Sequence, residues 1–173
     1  MDDTPHVAVI LNPVAGRGRG AAVWPRVRAV FDTSGIRWSI ESTTHPGHAA
    51  QLAADAASAR ARTLVVVGGD GTVNEVVNGL LKDVDAGAGA EAAGKGGGVA
   101  TASRPTLGVV PVGTGNDFAK PLALPVGRPE DAARVILAGR TRTIDVGRVN
   151  WRWFVNGVGL GLDGYVAVET RRT

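Results

Sequence analysis

The chain has 173 residues, 44% of them hydrophobic and none of them cysteine, which is enough for one ordinary domain with its own core and excludes disulfide and thiol chemistry. Its formal net charge is only +3, and its 16 arginines and 3 lysines are scattered rather than massed with aromatics, which argues against a nucleic-acid surface. No apolar run approaches the roughly 18 residues of a membrane span, and the acidic start, residues 1–6, does not resemble a secretory signal, so a cytoplasmic setting is expected.

Val7 to Leu11 is a short apolar run suited to a buried strand, ended by Asn12-Pro13. Gly16-Arg17-Gly18-Arg19-Gly20 follows. It lacks the Gly-Lys-Ser/Thr of a Walker A loop, yet a glycine loop with two arginines between strand and helix can cradle a phosphate, the alternative being a merely flexible connection. Val23, Val27, Val30 and Phe31 then fall at helical spacing, with Pro25 admissible only in the first turn, and Gly35 closes that helix. Arg37 to Glu41 alternates as a second strand. Thr43-Thr44-His45-Pro46-Gly47-His48 leads into an alanine-rich helix over about residues 49–61. The spacing of His45 and His48 is that of a metal pair, but no third ligand is near and Pro46-Gly47 marks a turn.

The chain is organised around Val65 to Val76. A β-branched run from Leu64 to Val67 reads as a fully buried strand that empties into Gly68-Gly69-Asp70-Gly71-Thr72 before a helical pattern begins at Val73. Glycines here let a ligand approach the backbone N–H groups with no Cβ in the way. Thr72 is expected to cap the helix, with Glu75 completing a capping box, and the free N–H groups of that helix start suit an anion such as phosphate. Asp70 is then out of place unless it holds a metal ion or takes a proton from an attacking hydroxyl.

Val73, Val76, Val77 and Leu80 form the inner face of the next helix. Lys82 to Ser103 is dominated by Gly and Ala, with too little apolar bulk to order itself, and is expected to be a mobile surface insertion. Thr106 to Pro111 is another buried strand, ending in the small polar turn Gly113-Thr114-Gly115-Asn116-Asp117. In an open parallel α/β sheet the loops at the carboxyl ends of strands share one crevice, so the loops at Asn12, Gly68 and Gly113 should meet. Thr114 and Asn116 are suited to hydrogen-bonding phosphate or ribose. Asp117 either lines that site or caps a helix starting at Phe118. A short helix follows over about residues 129–138, with Ala132, Val135 and Ile136 inward. From Thr143 the texture changes to short alternating strands, TIDVGRV and RWFVNGVGL, separated by Asn150-Trp151, which reads as antiparallel β structure. Trp151, Trp153 and Phe154 are expected to lack burial there. Residues 159–164 satisfy GxGxxG but lie outside the βαβ context that gives that pattern its meaning.

Residues 68–79, GGDGTVNEVVNG, resemble the signature of the diacylglycerol kinase catalytic domain family, which includes bacterial lipid kinases, sphingosine kinases and ceramide kinases. The GGDGT core is shared with NAD kinases and, more loosely, phosphofructokinases. Asn12-Pro13-Val14-Ala15-Gly16 resembles the family's NPxAG element, and Gly113-Thr114-Gly115-Asn116-Asp117-Phe118 resembles its GTGNDF element.

The resemblance implies a Rossmann-like three-layer α/β nucleotide-binding domain of the NAD kinase/diacylglycerol kinase type over residues 1–142, with 82–103 as its insertion. Residues 143–173 would then be the first strands of an antiparallel β-sandwich domain. It implies an ATP-dependent lipid kinase transferring the γ-phosphoryl group to a lipid hydroxyl, such as that of diacylglycerol, at the membrane surface. ATP and Mg²⁺ would lie against Asn12, Pro13, Gly16, Arg17, Thr43 or Thr44, Gly68, Gly69, Gly71, Thr72, Glu75, Gly113, Thr114, Gly115 and Asn116. Asp70 would act as base or through Mg²⁺, and Asp117 and Asp163 would lie near the acceptor lipid; the metal ligands are left unassigned. The family's second domain continues well past the point reached at Thr173, so the chain reads as a fragment inactive alone, with a homodimer through the β region expected. The alternatives are an NAD kinase, and a non-catalytic nucleotide-binding or regulatory fragment.

Overall fold

The computed structural model of the chain describes residues 6–82 and 104–157. Their elements are β1 (His6–Leu11), α1 (Ala15–Asp32), β2 (Arg37–Ser42), α2 (His48–Ser58), β3 (Thr63–Gly68), α3 (Asp70–Leu80), β4 (Thr106–Pro111), α4 (Pro129–Leu137), β5 (Gly147–Val149) and β6 (Arg152–Phe154). The first four strands form one parallel sheet in the order β2-β1-β3-β4. The central strands β1 and β3 are nearly continuous apolar runs because both of their faces are covered. On one face Ile10, Leu64 and Val66 pack with Ala49 and Ala53 of α2 and Val73, Val76 and Val77 of α3. On the other Val7, Val9, Val65, Val67 and Val110 pack with Val27 and Phe31 of α1 and Ala132 and Ala133 of α4. The result is the three-layer α/β/α arrangement that the resemblance implied. At the edge of the sheet β2 alternates, Trp38 and Ile40 half-buried against exposed Arg37, Ser39 and Glu41. Trp38 meets the Trp24 ring edge-on at 5.8 Å.

Four local expectations are corrected. Residues 16–18, at the start of α1, are left-handed (φ 60°, 61° and 87°), so the regular helix begins after Gly18 and Pro25 lies in its interior rather than in the first turn. The missing proline N–H is tolerated because Ala21 and Pro25 are both on the solvent side, where the carbonyl left over is open to solvation. Helix α3 begins at Asp70, not Val73, with Gly69 extended before it (φ −104°, ψ −174°) and no side-chain cap. The Thr72/Glu75 capping box does not form, because Thr72 sits inside the first turns with its hydroxyl taken by Asn12 (2.9 Å from Nδ2). No helix starts at Phe118. Residues 117–123 are turns, since Pro121 cannot donate and disfavours helical backbone at Lys120, and Asp117 instead pairs with Lys120 at 2.8 Å.

The antiparallel hairpin is present, but its first strand begins only at Gly147, and its turn places Asn150 in the left-handed region (φ 55°). Its aromatics are not all exposed. Trp153 packs against the core beside α3, and the Phe154 ring fills the space over Gly147 that a Cβ would need. Trp151 alone of the three is 79% exposed. The Gly/Ala-rich stretch from residue 83 to 103, the GxGxxG stretch and Asp163 lie outside the described residues.

Candidate functional site

The three loops meet at the carboxyl ends of β1, β3 and β4, where parallel pairing delivers them side by side. Asn12 N–H donates to Val67 C=O (2.9 Å) and Val112 N–H to Gly68 C=O (3.0 Å). Beyond those bonds the two glycine turns touch backbone to backbone: a Cβ on Gly69 would lie 2.9 Å from Gly113 Cα. The first loop is tied in by side chains. Asn12 Oδ1 accepts the Val14 N–H (3.2 Å) while its Nδ2 holds Thr72. Arg19 donates from Nη2 to Gly113 C=O (2.6 Å) and from Nε to Gly16 C=O (3.2 Å), so it bridges the first and third loops.

Over this junction opens a cleft of about 380 Å³. Asn12 and Gly16 line it from the first loop, Thr43 and Thr44 from the loop after β2, and Gly69, Gly71, Thr72 and Glu75 from the start of α3. Gly71 has no protein atom within 4 Å of where its Cβ would be, and it is exposed to the cleft. The N–H groups of the first turn of α3 have no intrahelical acceptor, which makes this floor suited to an anion. The residues after β2 are shaped by His48, whose Nδ1 is 3.2 Å from the Thr44 N–H and 3.1 Å from its hydroxyl. Nδ1 is therefore the accepting nitrogen. His45 stacks on His48 at 4.8 Å, and among the described residues no three of His, Asp and Glu come together as a metal-binding group.

Some of the expected residues stand elsewhere. Gly68 is beneath the floor, where a Cβ would strike the Thr72 side chain. Arg17 is exposed and left-handed, and neither it nor Pro13 borders the cleft. Residues 113–117 form a neighbouring rim with Asp70. Asp70 Oδ1 accepts the Phe118 N–H (2.9 Å) and Asn156 Nδ2 (3.3 Å). That leaves Oδ2 facing Gly115, 3.0 Å from its Cβ position, with Asp117 Oδ2 at 3.1 Å from the same point. Two carboxylates thus flank one small space. The Lys120 ammonium beside them is held in its charged form, its pKa raised chiefly by the hydrogen bond and charge of Asp117, with desolvation opposing and a smaller contribution from Asp70. Asn116 is buried and donates Nδ2 to Gly113 C=O (2.8 Å), but its Oδ1 has no partner.

Asn74, Asn78 and Asn156 escaped the sequence reading, although Asn156 bonds Asp70 and the other two lie beside it on α3. The i,i+4 spacing of the two helical asparagines was the available signal, since it puts both amides on one face of α3.

A family model described as the diacylglycerol kinase catalytic domain matches residues 6–149. The chain is 38% identical over 153 residues to a diacylglycerol kinase of Bacillus subtilis, covering 88% of this chain and 45% of that protein. It is 32% identical over 162 residues to a diacylglycerol kinase of Staphylococcus carnosus, covering 94% of this chain and 47% of that one. Among solved structures, a diacylglycerol kinase from Bacillus anthracis superposes with a TM-score of 0.73 at 29% identity, over 100% of this chain and 56% of that one. The chain spans about half the length of the curated relatives it matches.

Proposed function

The chain belongs to the diacylglycerol kinase catalytic domain family, and from that premise we propose that it is the nucleotide-binding part of a lipid kinase that passes the γ-phosphoryl group of ATP to a lipid hydroxyl, such as that of diacylglycerol, at a membrane surface. The observation that carries this reading is the cleft floor: Gly69, Gly71 and the unpaired first-turn N–H groups of α3 sit beside Asn12 and Thr72, in the kind of site that binds phosphates. Residues 1–142 form the nucleotide domain in this reading, and the hairpin begins a second one. No helix among the described residues is long and apolar enough to cross a membrane, so the lipid would be met from the surface. NAD kinase, the runner-up, shares the GGDGT core, but the elements at Asn12 and Gly113 fit it poorly, whereas the named relatives align over 88% of the chain or more.

In the transfer the lipid oxygen bonds to the γ-phosphorus, the bond from that phosphorus to the β–γ bridging oxygen breaks, ADP leaves, and the hydroxyl proton passes to a base. The residues around Asp70 fit a magnesium ion: two carboxylate oxygens flank the space over Gly115, the hard donors this ion takes. Bound Mg²⁺ would neutralise phosphate charge. Asp70 and Asp117 would hold it. The amides of Phe118 and Asn156 fix the Asp70 carboxylate, while the α3 N-terminus and Asn12 orient the phosphates.

Titration calorimetry with ATP tests the cradle. Gly71→Val puts a side chain into space that no protein atom occupies, so ATP affinity should fall about tenfold or more while the fold is unaffected. Unchanged affinity would overturn the phosphate cradle. Transfer of radiolabelled phosphate to diacylglycerol by the full-length protein tests the acceptor, and ATP binding without any transfer would favour a non-catalytic nucleotide-binding role.

A further inference from the structure

Strand β6 has β5 on one side, and on its other side it has helix α3 in place of a strand. Both backbone groups of Trp153 are taken by that helix. The Trp153 N–H donates to Asn78 Oδ1 (3.0 Å), and the Trp153 C=O accepts from Asn78 Nδ2 (2.9 Å) and Asn74 Nδ2 (3.1 Å). A side-chain amide carries the same donor and acceptor as a peptide unit, so Asn78 satisfies Trp153 as a neighbouring strand would. Asn74 and Asn78 lie one turn apart and are linked to each other, Asn78 Nδ2 donating to Asn74 C=O at 2.8 Å. The Trp153 and Val155 side chains pack into the core next to this contact, which shields the bonds from water and raises what they contribute.

The segment that leaves this strand has a second attachment one helical turn up. Asn156 follows Trp153 by three residues and donates Nδ2 to Asp70 Oδ1, the first residue of the helix that carries Asn74 and Asn78. We infer that Asn78, with Asn74, is a positioning residue whose amide stands in for a β-strand and thereby sets Asn156 against the Asp70 carboxylate. This rests on Asp70 serving the transfer. With β6 released, the carboxylate keeps the Phe118 N–H alone and is free to turn, which takes Oδ2 off the space it shares with Asp117.

The test is made in the full-length protein with Asn78→Leu, close in size and without either hydrogen bond. At saturating ATP its turnover should fall about ten- to a hundredfold, while the KM for ATP changes less than about twofold. Asn156→Ala should lose a similar factor, and the double variant should lose no more than the worse single one, since both act on one carboxylate. A purely structural asparagine would lower the melting temperature and leave turnover per folded molecule intact. Losses that multiply, or unchanged turnover in an enzyme that Asp70→Asn inactivates, overturn the inference. If Asp70→Asn itself keeps full turnover, the reading of Asp70 has failed instead. The strand-surrogate half then stands on hydrogen exchange: faster exchange of the Trp153 amide in Asn78→Leu upholds it, and unchanged exchange overturns it. Should Asn78→Leu not fold, Asn74→Ala removes one donor only and should give the same pattern on a smaller scale; turnover and exchange both unchanged in it would overturn the inference.

Discussion

The Cβ that Gly69 lacks would stand 2.9 Å from the Cα of Gly113, so the turn after β3 and the turn after β4 are in backbone contact. Neither glycine's neighbour there is a flexible side chain that could swing aside. The glycine at each position is required by the other loop, independently of any ligand.

Gly69→Ala should therefore lower unfolding stability by about 1–3 kcal/mol, as overpacking does. Gly71→Ala, two residues on and facing open space, should leave stability unchanged or raise it by about 0.5–1 kcal/mol, the helical gain of alanine over glycine. Urea denaturation of the two variants side by side checks this. Equal losses would mean that the two loops do not touch as described.

Replacing Asp70 by Asn preserves shape and the acceptor that Phe118 and Asn156 use, while removing the charge that faces Asp117. Lipid phosphorylation by this variant should fall by about two orders of magnitude or more. Turnover within about threefold of wild type would assign the chemistry to a different carboxylate.

Thr72→Val keeps the volume and deletes the hydroxyl that Asn12 Nδ2 reaches. Leaving that part-buried amide without its partner should cost about 1–2 kcal/mol of stability, and ATP affinity should drop with it, because Asn12 and Thr72 both face the cleft. Calorimetry and denaturation on one preparation separate the two effects; an unaltered stability would mean water replaces Thr72 as the partner.

The two hairpin tryptophans should behave oppositely. Trp151→Ser, at a position 79% exposed, should change stability by no more than about 0.5 kcal/mol. Trp153→Ala should cost about 3–5 kcal/mol, since that ring packs against the core beside α3. If the protein pairs with itself through this hairpin, Trp151 and Val149 are the exposed apolar side chains available for it, and sedimentation velocity should show Trp151→Ser shifted to monomer.

Periodicity and turn signals determined the order of the elements, and the family resemblance the three-layer architecture. Apolar runs at residues 7–11, 64–67 and 106–111, each bounded by turn residues, read as buried strands, and the helices between them suit a parallel sheet. The same reading also determined that the loops at Asn12, Gly68 and Gly113 would share one end of the sheet, because parallel strands deliver all their carboxyl ends to the same side. Local pattern could not say which hydrogen bond wins where several compete. Thr72 reads as a cap because cap chemistry is local, yet Asn12, 60 residues away, takes its hydroxyl, and Asp117, which reads equally as a cap or a site residue, pairs with Lys120 and faces Asp70 instead of capping a helix. Only the tertiary structure brought Asn156 to Asp70 across 86 residues and Asn78 to Trp153 across 75. Amide groups suit many partners equally well, so it is the packing of the hairpin against α3 that selects these.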